Sequence, residues 1–528
     1  MKEPSEISFA IYECTRAEIE NIILSLNPRK ATGPCSIPTN ILHLLKDDIS
    51  DPLSTIFNLS IRTGIHPELL KSAKVIPIFK KGSKLQTCNY RPISLLSNLN
   101  KILEKIMFTR VYSFLEENNI LYKLQFGFRK KHSTNHALID ITEHIRQTLD
   151  NGGHACGIFI DLQKAFDTVN HNILISKMHH YGIRGIANDW FKSYLSGRTQ
   201  FVSVQGFDSE IENVKHGVPQ GSVLGPLLFL IYINDLHACI NYSKVYHFAD
   251  DTNLLNTSSS PKRMQKQVNI DLKLLYQWLL ANKISLNCAK TELIFFHKPG
   301  HPINGFDFKI KMNGHKLIPS DHIKYLGVYL DSTLSGNYHC QQLITKLKRA
   351  NGMLSKIRHY VPKEELKSIY YAIFSSHMTY GCQIWGQKIT YHNEKIFKLQ
   401  NKAIRIINFK SYDADPNPLY KESGILKLQD FVKTQNCMLV HDFLNNALPS
   451  CFQDYYFKTN TMQIQTRNSW LGCLFIPSAK TSTYGLNSIT QQAISIWNIT
   501  TKANKTNISD LSRYQLKDLL IKSCINNY

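Results

Sequence analysis

Two adjacent acidic residues set between two apolar runs constrain this chain more than any other feature. Val245-Tyr-His-Phe248 and Thr252-Asn-Leu-Leu255 flank Ala249-Asp250-Asp251, and the spacing predicts a β-hairpin with both carboxylates at its tip. A second short run, Gly157-Ile-Phe-Ile160, ends at Asp161, and a third, Leu293-Ile-Phe-Phe296, follows a turn built around Asn287 and Lys290. Between the acidic hairpin and the Leu293 run lies a helix that starts at Pro261 and carries Val268, Leu272, Leu275 and Leu279 on one face. Adjacent carboxylates repel each other, so a tight turn bearing two is costly unless a cation neutralises it. Magnesium is the usual partner of a few carboxylates plus substrate phosphates. Two such ions about 3.5–4 Å apart can activate a hydroxyl and steady a leaving pyrophosphate. An Asp-Asp turn on its own is ordinarily just solvated, so its neighbours must carry the case.

The chain's 528 residues are too many for one compact core, and a hydrophobic share of 43% is that of a folded protein. Lys and Arg total 62 against 40 Asp and Glu, a formal charge of +22 that suits a polyanionic partner. Membrane insertion finds little support. The most apolar run, Val223 to Ile233, is interrupted by Gly225 and Pro226 and falls well short of the roughly 20 residues a bilayer span needs. The start, MKEPSEISFA, lacks the basic and apolar parts of a signal peptide. Twelve cysteines are scattered without a C-x-x-C pair, as reduced thiols of an intracellular protein would be, and no zinc knuckle is expected. Cytoplasmic or nuclear residence follows as the expectation.

Residues 1–59 read as a helical lead-in, in which Thr15-Arg-Ala-Glu18 is a capping-box pattern ahead of Ile19, Ile22, Ile23 and Leu26. From 60 to 331, β-rich runs alternate with helices. Residues 332–410 turn helical and basic. Leu343, Leu347, Ala350, Leu354 and Ile357 form a seam among Lys346, Lys348, Arg349, Lys356 and Arg358. A second helix, Glu394 to Ile407, buries Ile396, Leu399, Ala403 and Ile406 and shows Lys395, Lys398, Lys402 and Arg405. Residues 411–528 yield no clear reading.

Several further segments bear on chemistry. His216-Gly-Val-Pro-Gln-Gly-Ser-Val-Leu-Gly-Pro226 packs three glycines and two prolines into eleven residues, a backbone able to pass close beneath a base or sugar. Asn89-Tyr-Arg-Pro-Ile-Ser-Leu-Leu96 and Leu124-Gln-Phe-Gly-Phe-Arg-Lys-Lys-His-Ser-Thr134 are basic and aromatic, and Arg91 or Arg129 could grip a triphosphate. Tyr325-Leu-Gly-Val-Tyr-Leu-Asp331 reads as one alternating strand with an embedded glycine.

In this order, NYRPISLLSNLNKILEKI, LQFGFRKKHST, FIDLQKAFDTVNH, HGVPQGSVLGPLLFLIYINDL, HFADDTNLL, SLNCAKTELIFF and KYLGVYLD closely resemble the reverse transcriptases of non-LTR retrotransposons, most of all the jockey group. The match spans about 60–331, and KATGPCSIPTNIL and SIWN resemble the family's flanks. The resemblance implies an α+β right-hand polymerase: fingers, a palm with an antiparallel sheet, a helical thumb and a mainly helical C-terminal region. It implies RNA template, DNA primer or target DNA, and dNTPs as partners, and two Mg²⁺ ions, or Mn²⁺ in their place. Asp161, Asp250 and Asp251 would bind metal, completed by the carbonyl of Leu162. Phe166 would lie beneath the sugar and leave no room for a 2′-hydroxyl. Gln220 and Gly221 would follow the nascent pair and template, Arg91 the triphosphate, and Tyr325–Val328 the primer. Lys290 would protonate the departing pyrophosphate.

Two departures stand out: Cys35 replaces the usual Asp or Ser, and the stretch before residue 60 is too short for the endonuclease of relatives, so a partial element is expected. Two other functions remain open at this point, an RNA-copying RNA polymerase, which Phe166 disfavours, and a catalytically idle RNA-binding protein.

Overall fold

The apolar runs around the acidic residues pair with one another. In the computed structural model, which describes residues 4–300, 308–387, 391–453, 472–504 and 508–528, the central sheet has four strands. Their order is Lys244–Phe248, Asp251–Ser258, His154–Ile160 and Glu292–Phe296, and every neighbouring pair is antiparallel. Both faces of the His154–Ile160 strand are covered, so its apolar residues run without alternation. A second sheet pairs Ser72–Phe79 antiparallel with Tyr90–Leu96 and parallel with Thr199–Val204.

Local signals explain the helices that cover the central sheet. Ser260 caps the helix Pro261–Ala281 by accepting from the Arg263 amide, and proline occupies the first turn, where its missing N–H costs nothing. Val268, Leu272, Leu275 and Leu279 on that helix are buried. The Leu224–Ile233 helix is apolar all round and buried all round, a core helix rather than a membrane span. Among the described residues no helix is long and apolar enough to cross a membrane.

Three cores hold the described residues together. The first joins the lead-in to the β-rich body: Ile19, Ile23, Leu53 and Phe57 pack in one cluster with Ile106, Trp190, Leu228 and Leu272. The helix Lys46–Thr63 itself runs through position 60, and Thr15 caps Arg16–Leu24 as its pattern anticipates. The second core brings Val440, Trp497 and Leu516 onto the far face of the sheet, where they meet Ile139, Ile294 and Leu330. The third is helical. Leu343, Leu347, Ala350 and Leu354 of Asn337–Ile357 pack with Ile396, Ala403 and Ile407 of Tyr391–Ile407, a helix that begins three residues ahead of its expected start.

One expectation fails. Residues 325–331 are not a single strand but the second half of a hairpin, His322–Tyr325 against Val328–Asp331. Leu326 and Gly327 turn with φ of 42° and 86°, the left-handed pair that matches the twist of a two-residue hairpin loop. Glycine at the second place permits the reversal, and Gly327 also lies against the Tyr380 ring. Alternating apolar residues persist on both arms, so the pattern alone hides the break.

Candidate active site

The geometry of the acidic tip follows from strand register. Phe248 pairs with Asp251, which leaves Ala249 and Asp250 as a two-residue turn. Ala249 carries φ +57°, a position glycine usually fills. It is held there by Gln125, whose Oε1 accepts from the Ala249 amide at 3.1 Å and from the Gly127 amide at 2.9 Å. On the next strand Ile160 pairs with Thr252, so continuing the antiparallel register brings Asp161 alongside Asp251.

Electrostatics registers the same proximity. Burial pushes the Asp250 carboxyl above its ordinary pKa, and the Asp161 charge adds to it, while Arg91 and Lys80 pull the other way. Asp251 is pushed up to about 6, by loss of hydration first and then by the charges of Asp250 and Asp161. Asp251 is an exposed residue, so its hydration is reduced rather than lost.

Asp161 differs from the other two in having cationic and amide partners. Asn287 donates to its Oδ2 at 2.8 Å, the Asn287 amide donates to its backbone carbonyl at 3.0 Å, and Lys290 Nζ lies 3.5 Å from Oδ2. Lys290 therefore sits at the site, mostly exposed, on the short turn Cys288–Lys290. Leu162 is buried, and the backbone on either side of it is fixed, the Asp161 carbonyl accepting from the Asn287 amide and the Gln163 amide donating to Ser285 O at 2.9 Å.

Among the described residues no three His, Cys, Asp or Glu side chains close into a ready cation cage. The donor set nonetheless suits a hard divalent ion. Its side chains are carboxylates, two of them driven toward protonation by burial and then by neighbouring negative charge, and substrate phosphates supply the remaining ligands in such sites.

The surrounding residues sort themselves by contact. Arg91 is exposed on the Tyr90–Leu96 strand and acts electrostatically on Asp250. Arg129, the other candidate for a triphosphate, is committed elsewhere: it pairs with Glu116 at 2.6 Å and donates to Tyr122 O at 2.8 Å. Phe166 stacks on Phe229 with centroids 4.6 Å apart, on the loop that follows Asp161. Gln220 donates to Asp167 at 2.8 Å, and its carbonyl accepts from the Ser94 amide. A Cβ on Gly221 would stand 2.4 Å from Ser94 O, and one on Gly217 2.7 Å from Asp167 O. The glycines of this loop thus make room for protein backbone, which places the loop under the Arg91 strand. Tyr325 borders the tip as well, because its hydroxyl is pushed up by burial and by the Asp251 charge.

Sequence reasoning missed Gln125, Lys80 and the donor role of Asn287. Gln125 directly precedes the Phe-Gly-Phe-Arg run, and Lys80 opens the basic loop that leads to Arg91, but neither position signals contact with a turn some 120 or 170 residues away.

Comparison with known proteins bears on the same region. The family described as "Reverse transcriptase (RNA-dependent DNA polymerase)" matches residues 78–330. The chain is 30% identical over 456 residues to the "RNA-directed DNA polymerase from mobile element jockey" of Drosophila melanogaster, covering 83% of this chain and 48% of that protein. It is also 30% identical over 455 residues to the "Probable RNA-directed DNA polymerase from transposon BS" of the same fly, covering 81% and 48%. The "Probable RNA-directed DNA polymerase from transposon X-element" is 28% identical over 74% of this chain. The chain spans about half the length of the curated relatives it matches.

Proposed function

This chain carries a reverse transcriptase domain of the kind found in jockey-like non-LTR retrotransposons, and on that premise we propose that it copies RNA into DNA by extending a primer with dNTPs. The observation that carries the reading is that Asp250 and Asp251 both feel the charge of Asp161 where two paired strands end together, with Arg91 and Lys80 acting on the same turn. In this reading the four-stranded sheet is the palm. The sheet containing Tyr90–Leu96 belongs to the fingers, and residues 60–331 make up both. The basic helices of 332–410 form the thumb, whose exposed lysines follow duplex phosphates without reading sequence.

Asp161, Asp250 and Asp251 would hold two Mg²⁺ ions, with Mn²⁺ as a substitute, and the Leu162 carbonyl would complete the set. Bound there, the ions would lower the pKa of the primer 3′-hydroxyl and steady the triphosphate for in-line displacement. Arg91 supplies positive charge to the triphosphate. Lys290, within 3.5 Å of Asp161, stands where an ammonium can give a proton to departing pyrophosphate. Phe166 presents a ring where a ribose would need space for its 2′-hydroxyl, which selects dNTPs. Gln220 and Gly221 line the path of the nascent pair, and the hairpin turn at 325–328 meets the primer.

Primer extension on an RNA template with Mg²⁺ or Mn²⁺ tests the reading, with Asp250→Ala as control. DNA product from the wild type and none from the variant is the expected result. Product that persists in the variant overturns it.

A further inference from the structure

Phe128 is a bulky side chain held in an unfavourable backbone conformation with little burial in return. Its φ is +57° and it is 52% exposed. A non-glycine residue in this region persists only where its surroundings over-determine it.

Both chain neighbours do so. The Gly127 amide donates to Gln125 Oε1, and a Cβ on Gly127 would lie 2.3 Å from the Ala249 nitrogen, so the chain presses directly against the acidic turn. On the other side Arg129 is fixed by Glu116 and by the Tyr122 carbonyl. The left-handed conformation between these two anchors aims the Phe128 ring at Phe166, edge to face, with centroids 6.1 Å apart and planes at 88°. Phe166 is stacked in turn on Phe229, which is fully buried. The Phe166 ring therefore has two aromatic contacts, one from the rigid core and one from a strained, half-solvated residue tethered to the catalytic turn.

We propose that Phe128 is a positioning residue for sugar selection, holding the Phe166 ring in the orientation that excludes a 2′-hydroxyl. The proposal rests on the reading of Phe166 as the ring beneath the sugar. Without the Phe128 ring, Phe166 keeps its stack on Phe229 but can swing into the vacated space, and a ribose then fits. Tethering through Gly127 also ties the gate to the Ala249–Asp250 turn, so the ring and the carboxylates move as one unit.

The test is single-nucleotide addition to a DNA primer on an RNA template, measuring kcat/KM for one dNTP and its matching rNTP. Phe128→Ala is expected to lower the dNTP/rNTP ratio by up to about tenfold, the scale of one lost edge-to-face contact, mainly through a lower KM for the rNTP. Phe128→Tyr, which keeps the ring edge, is expected to restore the ratio. If the alanine variant does not fold, Phe128→Leu reads the same quantity with bulk retained. A ratio unchanged in Phe128→Ala while Phe166→Ala lowers it overturns this inference and leaves the Phe166 reading standing. A ratio unchanged in both variants overturns the two together. An equal loss in the dNTP and rNTP arms also overturns the inference, since it marks a purely structural residue. A wild type that extends no primer removes the functional reading beneath it.

Discussion

Two acidic clusters in this molecule use the same residue types to opposite ends. At the Ala249–Asp250 turn, Asp250 and Asp251 are shaped by burial and by neighbouring negative charge, Asp161 acting on both, and both are pushed toward protonation. On the opposite side, the helix Thr134–Asp150 presents Glu143, Arg146 and Asp150 to the C-terminal segment. There these three charges are met. Glu143 accepts from the Ile489 amide at 3.0 Å and the Thr490 hydroxyl at 2.8 Å, capping the helix Ile489–Asn504. Arg146 donates to the carbonyls of Asn487 and Ile384, each at 2.9 Å. Asp150 takes the Thr481 amide at 2.7 Å and hydroxyl at 2.6 Å. Partial burial would raise its pKa, but these bonds hold it below the usual value. Buried Asp271 is likewise satisfied, by Asn241, Tyr242 and Ser243. Charge that the fold answers builds structure. Charge that the fold leaves to something outside it marks a site.

The largest effect that could break this contrast is catalytic. Asp250→Ala should reduce primer extension by about a thousandfold or more, since the cation proposed to balance the transferring phosphoryl group loses a carboxylate ligand, while its thermal midpoint in the absence of metal holds or rises. A variant that unfolds instead would place Asp250 with the structural acids. Lys290→Leu comes next, with single-turnover incorporation slowed about a hundredfold if the ammonium gives up a proton in the step. The slowing should shrink with a substrate whose leaving group needs no proton. Glu143→Ala should behave in the reverse sense. Leaving buried donors of the Ile489 helix unmet costs about 3 kcal/mol, read from urea denaturation, with no change in the metal dependence of whatever activity remains.

The smallest effect is the most diagnostic. Asp251 titrates near 6 in the fold and near about 3.9 in an unfolded chain. Its proton is therefore held more tightly by the folded state. The associated stability is fully present below about pH 4 and is lost as pH rises through 6. Metal-free protein should show a slightly higher melting temperature at pH 5 than at pH 7, and Asp251→Asn should abolish that difference. The same slope in the asparagine variant would assign the pH dependence to other groups.

How much of this was legible in the sequence depends on how local the cause is. The Ala249–Asp250 turn, the strand that ends just before Asp161 and the start of the helix at Ser260-Pro261 rest on neighbouring residues, and the chain displays them directly. The Leu326-Gly327 reversal was hidden because alternation of apolar residues continues across it. Arg91 and Arg129 look alike in sequence. Only the presence of Glu116 beside one and the acidic turn facing the other tells them apart. Residues 411–528 were opaque for a similar reason: the helices described there are ordinary, and what matters is that Ile489–Asn504 returns to the helix Thr134–Asp150.

The sequence by itself determined which residues could form a doubly acidic turn, which strands would flank it and which helices would cover them, since each depends on periodicity and on chemistry a few residues away. Its ordered motifs also singled out the family. Tertiary structure decided which charges go unanswered. Whether a carboxylate meets an amide, a lysine or another carboxylate depends on segments brought together from more than a hundred residues apart, and no local pattern records that meeting.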